Sequence, residues 1–552
     1  MNLQKSAIAA ALALSLLPCC AASAASPASN NAVTTAVTYT GTEIRFSDSG
    51  ITSAASDGVE IAGTALTIKK SGTYLLSGTC ADGSIKVKKG TTGVTLVLSG
   101  LTLTSKTTAP IICAKSTEVS IVAAANTENT LTDTENNNAD VGGAGAENAV
   151  IKCKDGSTVT LCGTGTLNVT ANGKNGIKSG ASTESEGDAS LTIRELTLNI
   201  TAPVNDAVNA EAALNVESGT LTITAGDDAL HCDNAMNIGA ESTAGPSITI
   251  TTCCEGLEGA AVNIYSGDVS IAATDDCINA ANPSLSGYSD ALNISGGTIA
   301  AYTTSGDGFD SNGDITISGG TVAVWTANAA DNSPLDADGT VTISGGTVLA
   351  AGGSGGMGMN LSAQQPCVTF GSTSGMMGGK GSGMGSQRQP PDMQNFDGQN
   401  IEKPDFEGQD FEKPDTQNMP GQDFGGFGGA ASLMAENTAF SILDAQGNTL
   451  YSGTARCGAS FLLFSSPELS EGNSCTLSVD GTDTTADVQT GTVSSGMGGG
   501  MGGGMGFHGG SRPGNGNFGN GNFPGGMGGQ RPDWNFDSNG NGGKSTENAQ
   551  AK

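Results

Sequence analysis

Aromatic residues make up only 4% of this 552-residue chain, and histidine occurs twice. A large close-packed globule needs more ring volume than that. Glycine, at 84 residues, points the same way, toward thin stacked layers and unstructured tails. Basic residues are scarce as well: 23 Lys and Arg face 54 Asp and Glu, a net charge of −31. Such a chain repels nucleic acid and anionic lipid. Between Arg194 and Lys380 there is no Lys or Arg at all. The thirteen cysteines contain no CxxC pair, so a zinc site is not expected. Beyond the first 25 residues no apolar run is long enough to span a bilayer. Those first residues read as a secretory signal peptide, with Lys5, an apolar run from Ala7 to Leu17 and Ala22-Ser-Ala24 at a cleavage site. Cys19 and Cys20 raise a lipoprotein as the alternative, against which Pro18 stands where a small residue belongs. The expectation is a bacterial protein exported to the medium or the cell surface, without a membrane span.

What the chain does have is a repeat. From Thr170 to Ala351 an acidic turn, one buried aliphatic and a short Gly-flanked strand return at intervals of roughly 20 to 31 residues. The copies are Asn175-Gly-Ile-Lys178, Asp206-Ala-Val-Asn209, Asp228-Ala-Leu-His231, Glu255-Gly-Leu-Glu258, Asp276-Cys-Ile-Asn279, Asp307-Gly-Phe-Asp310 and Ser333-Pro-Leu-Asp336. One such unit cannot bury its apolar face alone and must stack on its neighbours. The strands alternate strictly, as in Leu221 and Ile223 or Val322 and Val324, which is period two and not helical. Stacked short strands with no hairpin signal between them predict an all-β chain built as a parallel β-helix, a solenoid.

The β-helix is expected over residues 26–370, with a cap and first turns over 26–150 and a polar excursion loop at Asp133–Asn148. Residues 371–431, rich in Gly, Met and Pro, read as a disordered linker. Strand patterns return over 432–493 (Phe440–Leu443, Phe461–Phe464, Cys475–Val479) as a small antiparallel module, and a Gly/Asn/Met-rich tail follows from 494 to 552. Sliding Pro110–Val122 by 40 residues matches Val150–Cys162, which puts Cys113 on Cys153, with Ser179 and Cys232 at equivalent positions. That column is either a ladder of small buried residues or a Cys113–Cys153 disulfide, since adjacent strands lie within bridging range.

The run Thr67-Ile-Lys-Lys-Ser-Gly-Thr-Tyr-Leu-Leu-Ser-Gly-Thr79, followed by Val94-Thr-Leu-Val-Leu-Ser-Gly-Leu101, resembles the opening of the exported clostridial carbohydrate-binding domain-containing proteins, which are polysaccharide-lyase-like. The resemblance covers roughly residues 40–370, and Ser466–Leu469 is similar to a short C-terminal β module of the same proteins. It implies a right-handed helix, bound calcium, and affinity for plant polysaccharides such as cellulose or pectate.

Stacked in register, Asp228, Glu255, Asp276 and Asp307 form one acidic column. Glu258, Asp310 and Asp336, with His231 and Asn279, form a second, and Asp227 and Asp275 stand one residue upstream. Carboxylates about 5 Å apart repel by about 1 kcal/mol or more per pair. Without basic neighbours a hard cation is the natural neutraliser, and calcium takes oxygen ligands of this kind. The alternative is solvated Asp and Asn chosen for tight turns. Tyr302 and Trp325 fall at the same position of consecutive repeats with aliphatics pointing inward, so both rings are expected outside. There they form either a sugar platform or a ring pair covered by the linker or the C-terminal module. Tyr265 and Tyr288 lie outside that column.

A β-eliminating lyase needs a strong base beside a calcium-bound uronate, and the late repeats have none. A hydrolase needs two carboxylates at a set separation. Asp227–Asp228 and Asp275–Asp276 can supply them, but His231 is the one histidine near, and a turn histidine reads as surface decoration. The sequence therefore favours a monomeric, non-catalytic, calcium-stabilised binder of pectate or cellulose, with a pectate lyase or glycoside hydrolase, and then a structural adhesin, as alternatives.

Overall fold

The computed structural model of the protein describes residues 38–494, except 55–56, 283–284, 286–288, 330–331, 354–359 and 372–431. The opening 1–25, the tail beyond Ser494, all but the first residue of the expected linker, and Tyr288 lie outside the described residues. Within them the chain is almost wholly β: 38 strands and a single short 3-10 turn, Ala139–Val141. No helix among the described residues is long and apolar enough to cross a membrane.

Most strands pair in parallel with the equivalent strand of the next repeat rather than with their neighbour in sequence. Thr166–Thr170 pairs with Thr197–Ala202, that strand with Thr220–Ala225, and that one with Ser247–Cys253. Two further ladders run alongside. One passes through Ala149–Cys153, Asn175–Ser179 and Val208–Ala210. The other passes through Thr158–Gly163, Ser190–Ile193 and Ala213–Val216. Leu230–Ile238 is long enough to serve both.

Period-two alternation puts every second residue of these ladders inside. Ile177, Val208, Leu230, Leu257, Ile278, Phe309 and Leu335, the one apolar residue of each acidic turn, are all fully buried. Each such burial contributes about 1.5–3 kcal/mol. The turn before the third strand of a repeat carries Ser-Gly-Gly in several copies. Gly320 there sits at φ +84°, and a Cβ would meet the Gly297 carbonyl oxygen at 2.8 Å, so only glycine fits without strain.

The ladders begin at two antiparallel hairpins, Thr42–Ser47 with Gly50–Ser53 and Val59–Ala62 with Ala65–Ile68. The expected excursion at 133–148 is tied down. Buried Asn137 bonds the Asp133 carboxylate and the Ala149 carbonyl, and Asn138 caps the short 3-10 turn.

At the far end the C-terminal residues contribute to the same sheet. Phe461–Ser465 runs antiparallel against both Thr347–Gly352 and Asn360–Gly371, covering edges that no further repeat pairs. Four more strands form a separate antiparallel sheet in the order Thr449–Thr454, Ala439–Leu443, Ser474–Val479, Thr482–Asp487. Its inner face packs on the last repeats through Phe440 and Leu477, which share one core with Phe464, Trp325, Leu349 and Phe370. Phe464→Ala is expected to cost about 3–5 kcal/mol of stability, measured by denaturant unfolding. With Trp534 replaced by Phe, Trp325 is expected to emit as a buried indole and to shift red in Phe440→Ala.

Candidate functional site

The acidic turns stack as the repeat predicts. Backbone bonds run from Ala207 to Asp228, Ala229 to Glu255, Gly256 to Asp276, Cys277 to Asp307 and Gly308 to Ser333, amide to carbonyl at 2.8–3.2 Å, which makes one column. In the second column Lys152, Lys178, Asn209, His231, Glu258, Asn279 and Asp310 follow in register. Asp336 joins beyond the Phe309–Leu335 bridge. Asp227 and Asp275 lie outside both columns, at exposed positions on either side of Cys254.

Part of the inner column works as turn chemistry. Asp276 accepts the Asp307 amide through Oδ1 at 2.6 Å, and Asp307 in turn accepts the amide of Ser333. Each carboxylate thereby bonds the turn of the next repeat and keeps its second oxygen free of that duty.

Two clusters bring side chains of both columns together, with ligand atoms within 4.8 Å of one another: Asp228, His231 and Glu258, and Asp307, Asp310 and Asp336. They differ in kind. His231 Nδ1 lies 2.5 Å from Glu258 and 3.2 Å from Asp228, while Nε2 lies 2.9 Å from Asp233. Burial alone would lower its pKa, but the bonds to Asp228, Asp233 and Glu258 outweigh it and push the imidazole up to about 12. His231 is thus an internal cation, and the surface histidine expected from sequence is corrected: its partners come from its own turn and from the repeat 27 residues on.

The Asp307 cluster has no such cation among the described residues. Two ionised carboxylates about 5 Å apart repel by about 3 kcal/mol at an effective dielectric of 20. Burial first, then neighbouring carboxylates, pushes Asp307 up to about 7 and Asp310 up to about 6, and raises Asp336. Burial likewise takes Glu255 to about 7 and Asp276 to about 8. Between the two clusters Asn279 donates to Glu255 at 3.1 Å, while its own Oδ1, shut off from solvent, has no hydrogen-bond partner.

Tyr302 and Trp325 pair in register, as expected. Trp325 is nevertheless only 4% exposed, its ring edge-on to Phe440 with centroids 5.8 Å apart. Both rings lie outside the ladder core, and of the two expected alternatives the covered one holds: the C-terminal sheet covers the indole, which offers no face to a sugar. Cys113 and Cys153 also pair in register, as free, fully buried thiols without a disulfide.

The sequence reading passed over one polar array. In the second strand of four successive repeats an outward Asn bonds its counterpart. Asn237 donates to Asn215 at 2.9 Å, Asn263 to Asn237 at 3.1 Å and Asn293 to Asn263 at 3.0 Å. The signal was present as a recurring apolar-Asn-apolar triplet, Leu214–Val216, Met236–Ile238, Val262–Ile264 and Leu292–Ile294.

The family described as carbohydrate-binding domain-containing protein matches residues 62–356, more than half of the chain. The chain belongs to that family. A carbohydrate-binding domain-containing protein of Acetivibrio thermocellus is 36% identical over 122 residues, 22% of this chain and 42% of the relative, so less than half of that relative's length is matched. A solved polysaccharide lyase-like protein from C. thermocellum is similar at a TM-score of 0.30, with 24% identity over 59% of this chain and 97% of that chain.

A pH dependence follows from the columns of this family member. Unfolded carboxyls titrate near pH ~4, whereas folded Asp310, Asp307, Glu255 and Asp276 lie at about 6, about 7, about 7 and about 8. The native state therefore holds extra protons in that window, and the stability they confer is full below the unfolded value and lost as pH rises through the folded ones. In EDTA the melting temperature is expected to fall by several degrees between pH 5 and pH 9, as read by calorimetry.

Proposed function

We propose that this protein is a non-catalytic polysaccharide binder at the cell exterior, its late repeats held together by calcium and its ladders wound as a right-handed parallel β-helix. Parallel strands joined by crossover connections are right-handed in nearly all known cases, which supports the winding. The observation that carries the calcium reading is the Asp307, Asp310 and Asp336 cluster. It offers oxygen donors only, as a hard cation requires, and the orphaned Asn279 oxygen lies one repeat before Asp310 in the same column. The Asp228, His231 and Glu258 cluster does not fit calcium, because one of its three groups is an imidazole engaged by carboxylates through both ring nitrogens, which offers a hard cation no oxygen donor. Calcium would neutralise the Asp307 cluster at the pH where its carboxyls ionise.

Family membership supports a carbohydrate ligand, and the chemistry of the columns supports binding over cleavage. His231, the one described histidine, is engaged by three carboxylates, and in the late repeats no Lys or Arg lies between Arg194 and Lys380 to act as a base, the column's Lys152 and Lys178 belonging to the early repeats. Pectate and cellulose are the candidate polymers. With the Trp325 indole covered, a two-ring platform for cellulose is not supported, whereas calcium can bridge protein and uronate carboxylates.

The test is co-sedimentation of the full chain with pectate and with cellulose, in calcium and in EDTA, alongside an assay for unsaturated and reducing ends. Retention without new ends is expected; release of ends would replace the binder with a lyase or hydrolase. Calcium is expected to raise the melting temperature of the wild type. That rise should vanish in Asp307→Asn/Asp336→Asn and persist in Asp227→Asn.

A further inference from the structure

From Ser190 onward, three residues connect the second strand of a repeat to the third in six repeats: 194–196, 217–219, 265–267, 295–297, 318–320 and 344–346. In one repeat the connection is eight residues long, 239–246. The extra residues form a braced wall. The Ala240 amide donates to Ser266 Oγ at 3.1 Å, Ser266 Oγ donates to the Ala240 carbonyl at 3.0 Å, and Thr243 Oγ1 donates to the same carbonyl at 2.8 Å while lying 3.1 Å from Ser266 Oγ. Ser266 belongs to the following repeat and is itself buried, so the wall is fastened to the ladder beneath it.

The same turn carries a second departure. Its first position is Arg194, Glu217, Gly239, Ser295, Ser318 or Ser344 in the other repeats and Tyr265 in the one directly after the wall. The wall, the half-buried Tyr265 ring, and the Asn215 and Asn237 amides line an open cavity of about 580 Å³. Cavities of about 300–1,000 Å³ are the usual size for small-molecule sites.

We propose that this cavity is a saccharide subsite for a neutral, hydroxyl-rich glycan, entered from the asparagine ladder. It rests on the carbohydrate-binding reading above and gives that reading a location apart from the acidic columns. The ladder fixes the chemistry. An amide has two N–H donors and two acceptor lone pairs, and each inner Asn spends one of each on its neighbours. One donor and one acceptor per repeat remain, held in line about 4.8 Å apart. Hydroxyls, which both donate and accept, match that array along the edge of a sugar chain. Tyr265 adds an apolar face with a polar tip, the combination that receives a pyranose ring. The one charged group lining the cavity is Glu217, which lies 4.0 Å from Arg194. Arg194 offsets part of that charge from outside the cavity, but no cation lines the cavity itself to receive a uronate carboxylate.

The test uses calorimetric titration of the full chain with cellohexaose and with trigalacturonate. Binding of cellohexaose in preference to trigalacturonate is expected, at least tenfold weaker in Tyr265→Ala and in Asn237→Ala at a temperature where each variant is folded by circular dichroism, and retained in Tyr265→Phe. Ala244→Trp, at an exposed position on the wall, obstructs the cavity without touching the core, and should abolish the binding even if Tyr265→Ala folds poorly. Wild-type affinity in Tyr265→Ala, Asn237→Ala and Ala244→Trp overturns the subsite while leaving carbohydrate binding standing. Tighter trigalacturonate binding that these variants lose overturns the neutral-glycan assignment. Failure of the wild type to bind either oligosaccharide, pectate or cellulose overturns the functional reading and the subsite together.

Discussion

Each residue in the parallel ladders lies about 4.8 Å from its counterpart in the next repeat, and whatever is placed at a position must tolerate a copy of itself at that distance. For an aliphatic the arrangement is favourable, since like side chains interdigitate and exclude water. The stack from Ile177 to Leu335 is the outcome. For an amide it is favourable too, because donor and acceptor sit on one group and each Asn can satisfy the next. For a carboxylate it is costly, and the cost compounds where several copies align. The three kinds of column answer one constraint, and only in the carboxylate column does stacking like on like carry a cost.

The turns show two ways of offsetting that cost. Around Asp228 and Glu258 the chain supplies its own cation, His231, whose proton three carboxylates hold in place. Around Asp307 the backbone amide of Ser333 takes part of the load and the remaining oxygens face one another. Two clusters three repeats apart in the same columns thus differ because the place of the His231 imidazole in the first is taken by the carboxylate of Asp310 in the second.

The ladders were legible in the sequence because the repeat and the period-two alternation are local. The registers of Cys113 with Cys153 and of Tyr302 with Trp325 followed from aligned copies alone. The covering of Trp325 was legible only as one of two alternatives, because Phe440 and Phe464 come from residues more than a hundred positions downstream, and no repeat refers to them. The surroundings of His231 were missed for a related reason. Its turn looks solvated when taken singly and becomes crowded once Glu258 is stacked on it. The asparagine triplets could have been found, since they repeat as regularly as the acidic turns. Their use depends on which face of the strand they occupy and on a loop that departs from the repeat.

The missing basic residues have an electrical consequence along the stacking direction. Residues 38–194 carry 13 Lys and Arg against 15 Asp and Glu, whereas residues 195–371 carry none against 20. Nearly all the charge of the ladders therefore belongs to their later half, and within one column Lys152 and Lys178 give way to Glu258, Asp310 and Asp336. A permanent dipole of this kind turns the molecule in any external field. A cationic surface draws it in with the late repeats leading, and salt removes the preference beyond a screening length of about 8 Å at physiological ionic strength.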